Sequence, residues 1–212
     1  MGRDDFMVSP ANSNAVALVD HWPQWPAYGA IIAGPAGSGK THLAMVWQKR
    51  SGAGLIAATD LRFENVPQLL AGNALVIENV DQGAVPERAL FHLLNLAREQ
   101  GAHVLLTARL APGLWNIRLP DLTSRLLALP LATIAAPDDD LLRVVLVKHF
   151  ADRQIAVDEA LISYLLARMP RSLEMARTLV AQIDALALAE KAEVTRSFAG
   201  RVLAALESPE ML

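Results

Sequence analysis

A glycine-rich segment at residues 34–41 constrains this chain more than any other feature. It reads G-P-A-G-S-G-K-T and fits the pattern G-x-x-x-x-G-K-[ST]. Glycines in such a loop let successive backbone N–H groups point at phosphate oxygens, while Lys40 can reach the β and γ phosphates and the Thr41 hydroxyl can ligate Mg²⁺. An apolar run at 30–33 predicts a preceding strand, and 41–49 predicts a helix whose N-terminus faces the anion. The predicted nucleotide-binding residues of this P-loop are Gly34, Pro35, Ala36, Gly37, Ser38, Gly39, Lys40, Thr41 and His42.

Composition narrows the class of protein. Apolar residues make up 53% of the 212, yet no uninterrupted run approaches the roughly 18 that a membrane helix needs. The surplus favours helical core together with surfaces that meet a partner, self-association included, although a tightly packed monomer satisfies it as well. The chain has no cysteine, which excludes disulfides, thiolate metal sites and cysteine nucleophiles. Because the start lacks an apolar signal-peptide core, we expect a cytoplasmic protein.

The pattern of short apolar runs and helical faces predicts two domains. Strands are predicted at 30–33, 54–58, 74–78, 103–107 and 127–131, with a helix at 86–100, which indicates an α/β domain with a parallel sheet covered on both faces. After Pro137 only helices are predicted, at 139–152, 158–168, 171–190 and 195–206. The predicted domains are therefore 1–135, of which 1–28 is an N-terminal linker, and 136–212.

Two tryptophans end the linker. Trp22 and Trp25 each precede a proline. Their rings can either stack on an adenine or seal the edge of a core. Such residues more often seal the edge of a core, so the sequence favours that interpretation.

A second acidic group is predicted beside the phosphates. The strand at 74–77 is followed by Glu78, which we predict to hold Mg²⁺ through water together with Thr41. The next residue is Asn79, where an ATPase usually places the carboxylate that polarises the attacking water. A neutral amide accepts no proton, so we predict nucleotide binding with weak intrinsic hydrolysis. Asp81 is the alternative acid, but its position predicts a loop.

Several segments together resemble a known family. The segments at 37–43, 89–95, 105–107 and 119–126 resemble the AAA+ module of the DnaA replication-initiator family, and more closely its Hda branch of DnaA regulators. The resemblance covers nearly the whole chain. It implies an AAA+ P-loop NTPase fold, with a five-stranded parallel sheet in the order 5-1-4-3-2 followed by an all-helical lid.

The resemblance assigns roles to three further positions. Arg125 matches the arginine finger that reaches the γ-phosphate held by a neighbouring subunit, whereas by sequence alone such an arginine is more often a surface ion-pair residue. Thr107 matches the polar sensor 1 at the end of the fourth strand. Arg171 resembles the lid arginine, sensor 2, although an ungapped comparison places Glu174 there, with Arg171 and Arg177 one turn to either side.

The same resemblance assigns the adenine contacts to the N-terminal linker. Phe6 and Val8, with Asn12, look like the segment that covers the base. Burial in the core without ligand contact is the alternative.

The function implied by the resemblance is regulation of DnaA. An Hda-like protein holding ADP docks on ATP-bound DnaA at the DNA-loaded sliding clamp and promotes hydrolysis there, which negatively regulates initiation of chromosomal replication. The net charge of −3 and the lack of a helix-turn-helix after the lid lead us to expect no strong direct DNA binding. No clamp-binding peptide precedes Asp4, which leaves either a longer natural chain or a different use of the clamp. The rival predictions are an autonomous DnaA-like or helicase-loader-like ATPase and a nucleotide-stabilised adaptor.

Overall fold

The computed structural model describes residues 7–83 and 86–207. The chain divides between Ala135 and Ala136 into two compact units, here named the α/β unit and the helical unit. The predicted adenine contact Phe6 lies outside the described residues. No helix in the described ranges is both long enough and apolar enough to cross a lipid bilayer.

The α/β unit is built on a fully parallel sheet. Its strands are β1 (Gly29–Ala33), β2 (Gly54–Ala57), β3 (Ala74–Glu78), β4 (His103–Ala108) and β5 (Leu131–Thr133), in the order β2-β3-β4-β1-β5. Read from the other edge this is the predicted order 5-1-4-3-2, so the predicted fold class is confirmed. In β1 every residue is buried, as expected of a central parallel strand covered on both faces.

Helices cover the two faces of this sheet. They are α1 (Ser13–Asp20), α2 (Lys40–Ser51), α3 (Val66–Leu69), α4 (Glu87–Gln100) and α5 (Pro120–Leu127). Because side chains alternate along a strand, Ile31 packs in the core with α3, α4 and α5, while Ile32 packs in the core with α1 and α2. The carboxyl ends of β1, β3 and β4 therefore open at one edge of the sheet, where parallel sheets bind ligands.

The predicted fifth strand at 127–131 is wrong. Residues up to Leu127 belong to α5, where Leu122 and Leu126, four residues apart, form the buried helical face. Pairing with β1 begins only at Pro130, whose carbonyl accepts the Ile31 N–H at 2.8 Å. The apolar run that suggested one strand is thus the end of a helix followed by a shorter strand, and Pro130, which has no N–H, lies between them.

The N-terminal linker contains a helix that the sequence did not predict, α1. The indole of Trp25 stacks on that of Trp47 from α2, with ring centroids 5.3 Å apart, and Trp22 meets Trp47 edge-on at 6.0 Å. Trp25 is buried, and its Nε1–H donates to the carbonyl of Leu18 at 2.7 Å. The two tryptophans therefore seal the edge of a core, which is one of the two interpretations that the sequence offered.

The helical unit consists of α6 (Asp139–Ala151), α7 (Glu159–Leu166), α8 (Leu173–Glu190) and α9 (Arg196–Glu207). All four predicted helices are present, with ends shifted by no more than two residues. The start of α8 is shifted by two residues, to Leu173 rather than 171, because the Ser172 hydroxyl caps it by accepting the Met175 N–H at 3.1 Å. The unit has its own apolar core, which includes Phe150, Leu165 and Leu179.

Candidate nucleotide-binding site

The glycine-rich loop joins β1 to α2 at the carboxyl edge of the sheet. Gly37 and Gly39 have φ of 70° and 99°, a backbone conformation that other residues rarely adopt. A Cβ built on Gly34 would lie 2.5 Å from the carbonyl oxygen of Ile134, so only glycine fits there. Gly39 caps α2 without any side-chain hydrogen bond. The first N–H groups of α2 therefore remain available to an anion, and the positive end of the helix dipole favours one.

Lys40 is buried at the base of this loop. Its side chain is 7% exposed, and Nζ donates to the carbonyl oxygens of Gly34 and Pro35, each at 2.7 Å. Burial lowers the pKa of Lys40, and repulsion by Arg109 lowers that pKa further, while Asp81 and Glu78 act in the opposite direction. The Lys40 ammonium thus interacts electrostatically with charged groups at the ends of β3 and β4.

Two buried oxygens beside the loop have no hydrogen-bond partner among the described residues. They are Oε1 of Glu78, the last residue of β3, and Oγ of Ser38 within the loop. Buried polar atoms without partners cost stability unless a ligand, an ion or water satisfies them. Glu78, with the exposed hydroxyl residue Thr41, is an oxygen donor set of the kind Mg²⁺ uses when phosphates complete its coordination. The residues present therefore fit a Mg²⁺-bound phosphate chain.

This donor set is not a self-sufficient metal site. Within residues 7–83 and 86–207 no cluster of three or more His, Asp or Glu side chains is placed to hold a metal ion. Mg²⁺ seldom needs such a cluster, since it retains waters and takes ligands from phosphates.

The ends of β3 and β4 are tied together by hydrogen bonds. Thr107 is 1% exposed, and its Oγ1 accepts the Asn79 N–H at 3.1 Å. Asn79 has a φ of 59°, and its Oδ1 accepts from Gln82 at 2.9 Å, so its exposed side chain bonds within its own loop. Thr107, the second-last residue of β4, thus positions the backbone of Asn79, and its role as sensor 1 stays a prediction.

Asp81 serves the loop that follows β4. Its two carboxylate oxygens accept the N–H of Arg109 at 2.9 Å, and Oδ2 also accepts the N–H of Leu110 at 2.8 Å. Both oxygens are therefore committed to main-chain groups. This favours a structural role for Asp81 over the alternative that it is the catalytic acid.

Arg125 lies on α5, in the α/β unit. Its guanidinium carbon is 5.0 Å from the centroid of the Phe91 ring on α4, a cation–π contact that holds a half-buried side chain. With Arg98, Tyr28 and Ser124 it lines a surface groove. Hydrophobic residues are exposed on the same helix and nearby, as Leu127 is 59% exposed and Leu114, in the turn before α5, is 69% exposed.

The remaining predicted contacts belong to different segments of the chain. Arg171 precedes α8 in the helical unit and pairs with Asp139 at 3.1 Å, with both side chains more than half exposed. Glu174 lies in the first turn of α8. Val8 is 54% exposed, whereas Asn12 is 1% exposed and holds its own segment by accepting from Ser9 and donating to the carbonyl of Met7, each at 2.9 Å.

Sequence reasoning missed one charged residue of this edge, Arg109. The available signal was its position two residues after Thr107, because the residues that follow neighbouring parallel strands meet at one edge of the sheet. His42, which follows Thr41 in α2, is half-buried.

The fold and this edge define the class of protein: the chain has the AAA+ P-loop NTPase fold. It is similar to domain III of the Thermotoga maritima replication initiation protein DnaA, with a TM-score of 0.77, 19% identity and coverage of 94% of each chain. Aquifex aeolicus DnaA bound to AMPPCP gives a TM-score of 0.69 at 18% identity, over 85% of this chain and 63% of that one. The Thermotoga maritima RuvB Holliday junction branch migration motor gives 0.73 at 15% identity, over 97% and 72%.

No protein-family model matches the sequence, and no curated protein matches it.

Proposed function

We propose that this chain binds ATP or ADP with Mg²⁺ and regulates the initiation of DNA replication by stimulating ATP hydrolysis in the initiator DnaA, as Hda-like proteins do. The nucleotide is held by the α/β unit, with residues 34–42 around the phosphates, and residues 136–212 serve as the lid. The fit of a buried Lys40, an open α2 N-terminus and the partnerless Glu78 oxygen supports phosphate binding. The AMPPCP bound to Aquifex aeolicus DnaA supports it by analogy of fold.

Weak intrinsic hydrolysis is part of the proposal. Asn79 lies at the position where ATPases place an acid. The Asp81 carboxylate instead accepts backbone N–H groups of the loop that follows β4. A missing general base lowers the rate by a factor of ~10² to 10⁴. This substitution by an amide, beside an otherwise complete phosphate cradle, is the observation that carries a regulatory rather than a motor function.

The proposed active group in trans is Arg125. A guanidinium stays charged, binds phosphate with two hydrogen bonds and stabilises charge in the transition state. Its contact with Phe91 orients the side chain at the surface, and the exposed Leu127 and Leu114 offer apolar area to a partner. The proposed partners are ATP-bound DnaA and the DNA-loaded sliding clamp.

The test is phosphate release from ATP-bound DnaA in the presence of clamp, DNA and this chain. We expect stimulation by the wild-type chain and its loss in Arg125→Ala, by a factor on the order of 10³ if the finger acts as in other trans-activated P-loop proteins. Arg118→Ala is the control, since Arg118 is an exposed arginine of the same unit. Calorimetry with ATP and ADP should show that Arg125→Ala still binds nucleotide. An Arg125→Ala chain that stimulates as strongly as wild type would refute the finger.

The autonomous ATPase is the second candidate, because Glu78 offers the metal carboxylate that such an enzyme needs. Turnover of ATP by the isolated chain at rates typical of AAA+ motors would favour it. Equal affinity for the partner with ATP, with ADP and without nucleotide would favour the adaptor.

A further inference from the structure

Arg109 lies at the entrance of the glycine-rich loop. It is the first residue after β4, the strand that pairs with β1 so that Ala108 stands opposite Ala33. The carbonyl of Ala108 accepts the N–H of Gly34, the first loop residue, at 3.1 Å. The backbone of Arg109 is therefore level with the start of the loop, on the adjacent strand.

Main-chain hydrogen bonds fix this position. Asp81 accepts the N–H of Arg109 with both carboxylate oxygens and that of Leu110 with one. These bonds come from the loop after β3, so Arg109 is held from a second strand. A charged side chain on an anchored backbone loses less conformational entropy when it binds a ligand than one on a free loop.

The charge of Arg109 acts on the P-loop lysine. Its repulsion is the largest cause, after burial, of the lowered pKa of Lys40. Two cations held at one edge of a sheet repel each other, and an anion between them removes that cost. Arg109 is exposed, so its side chain is accessible to a ligand.

We propose that Arg109 is a second cationic ligand of the terminal phosphate of a bound nucleoside triphosphate, supplied in cis beside Lys40. This inference rests on the proposed nucleotide binding, and it identifies Arg109 as the residue that distinguishes a triphosphate from a diphosphate. The P-loop lysine reaches the β and γ phosphates. A second cation placed beyond this lysine, at the entrance of the loop, therefore contacts the terminal phosphate. The guanidinium fork matches the oxygens of that terminal group. Arg109 therefore makes the site prefer a triphosphate over a diphosphate.

The test is calorimetric affinity for AMPPCP and for ADP, with Mg²⁺, in the full chain and its Arg109→Ala variant. Loss of a charge-assisted hydrogen bond predicts a roughly 10- to 100-fold weaker affinity for AMPPCP. For ADP we expect a decrease of no more than about fivefold, the size of a solvent-screened charge attraction. Arg118→Ala is the matched control, because the N–H of Arg118 is also held by a carboxylate, that of Glu87, at 3.0 Å.

Two further variants keep the outcomes distinct. Arg109→Gln retains side-chain length and decides the question if Arg109→Ala fails to fold, and Arg109→Lys should recover part of the AMPPCP affinity. Equal losses for the two nucleotides, or no loss for AMPPCP, would overturn the role of Arg109 while leaving nucleotide binding intact. Absence of binding of either nucleotide to the wild-type chain would instead overturn the proposed function itself.

Discussion

The two units treat the beginnings of their helices in opposite ways. In the helical unit each of the four helices has an N-cap side-chain oxygen that accepts a backbone N–H of the first turn, at 2.7–3.3 Å. The capping residues are Asp138, Asp158, Ser172 and Thr195. In the α/β unit none of α1 to α5 has a side-chain cap. A capped helix satisfies its own first N–H groups, whereas an uncapped one leaves them for another partner.

Buried polar groups follow the same division. Among the described residues, the buried polar or charged ones are Asn12, Ser38, Lys40 and Thr107, all in the α/β unit. Three of these four lie at the carboxyl edge of the sheet. The α/β unit therefore buries polar groups where a ligand can bind, which lowers its stability. In the helical unit the polar groups cap its own helices.

The largest effect on stability is expected from the apolar core of the helical unit. Phe150→Ala removes a ring that is 0% exposed, and should lower the free energy of unfolding by about 3–5 kcal/mol, since it leaves a cavity. Urea denaturation followed by circular dichroism measures this. Val147→Ala, on the same helix and 46% exposed, is the control and should change stability by about 0.5 kcal/mol or less. Similar losses for the two variants would contradict the assigned core.

A smaller effect is expected at a helix cap. Asp158→Ala deprives the Leu161 N–H of its acceptor, at 2.7 Å, and should destabilise the chain by about 0.5–2 kcal/mol in thermal or urea unfolding. Asp158→Asn is the control and should remain within a few tenths of a kcal/mol, because asparagine caps as well as aspartate. If both variants lose stability equally, the charge of Asp158 matters rather than its cap.

The smallest effect, and one of opposite sign, is expected at the phosphate loop. Ser38→Ala removes a buried hydroxyl without a partner, so the unliganded chain should keep its stability or gain up to ~1 kcal/mol. The same substitution at the cap, Ser172→Ala, should instead cost ~1 kcal/mol. Comparing the two serine variants by urea denaturation tests the division between the units directly. If Ser38→Ala lowered the free energy of unfolding as much as Ser172→Ala, the proposed difference between the two units would be wrong.

Much of the fold was predictable because its signals are local. The loop at 34–41, the alternation of strands with helices and the change to helices after Pro137 are all patterns of neighbouring residues. The sheet order came from the resemblance and is confirmed. The fifth strand was misplaced because a helix end and a strand share one apolar run, and α1, only eight residues long, was not distinguished from the linker around it.

The candidate site was predictable only in part. Glu78 was predicted from its position at the end of a strand and Thr107 from the resemblance, and their catalytic roles stay predictions, as does that of Arg125. That Asp81 binds the backbone of Arg109, 28 residues away, could not be read from spacing. Arg171 was placed inside a helix, but it precedes α8 and pairs with Asp139.

The sequence by itself determined the shape of the phosphate loop, since the glycines, the lysine and the threonine lie within eight consecutive residues and act through their own backbone preferences. The tertiary structure decided which charges share the edge of the sheet with Lys40. That choice brings together Glu78, Asp81 and Arg109 from the ends of two other strands. The physical reason is that burial and Coulomb energy depend on distance in space, which the pairing of strands sets and the spacing along the chain does not.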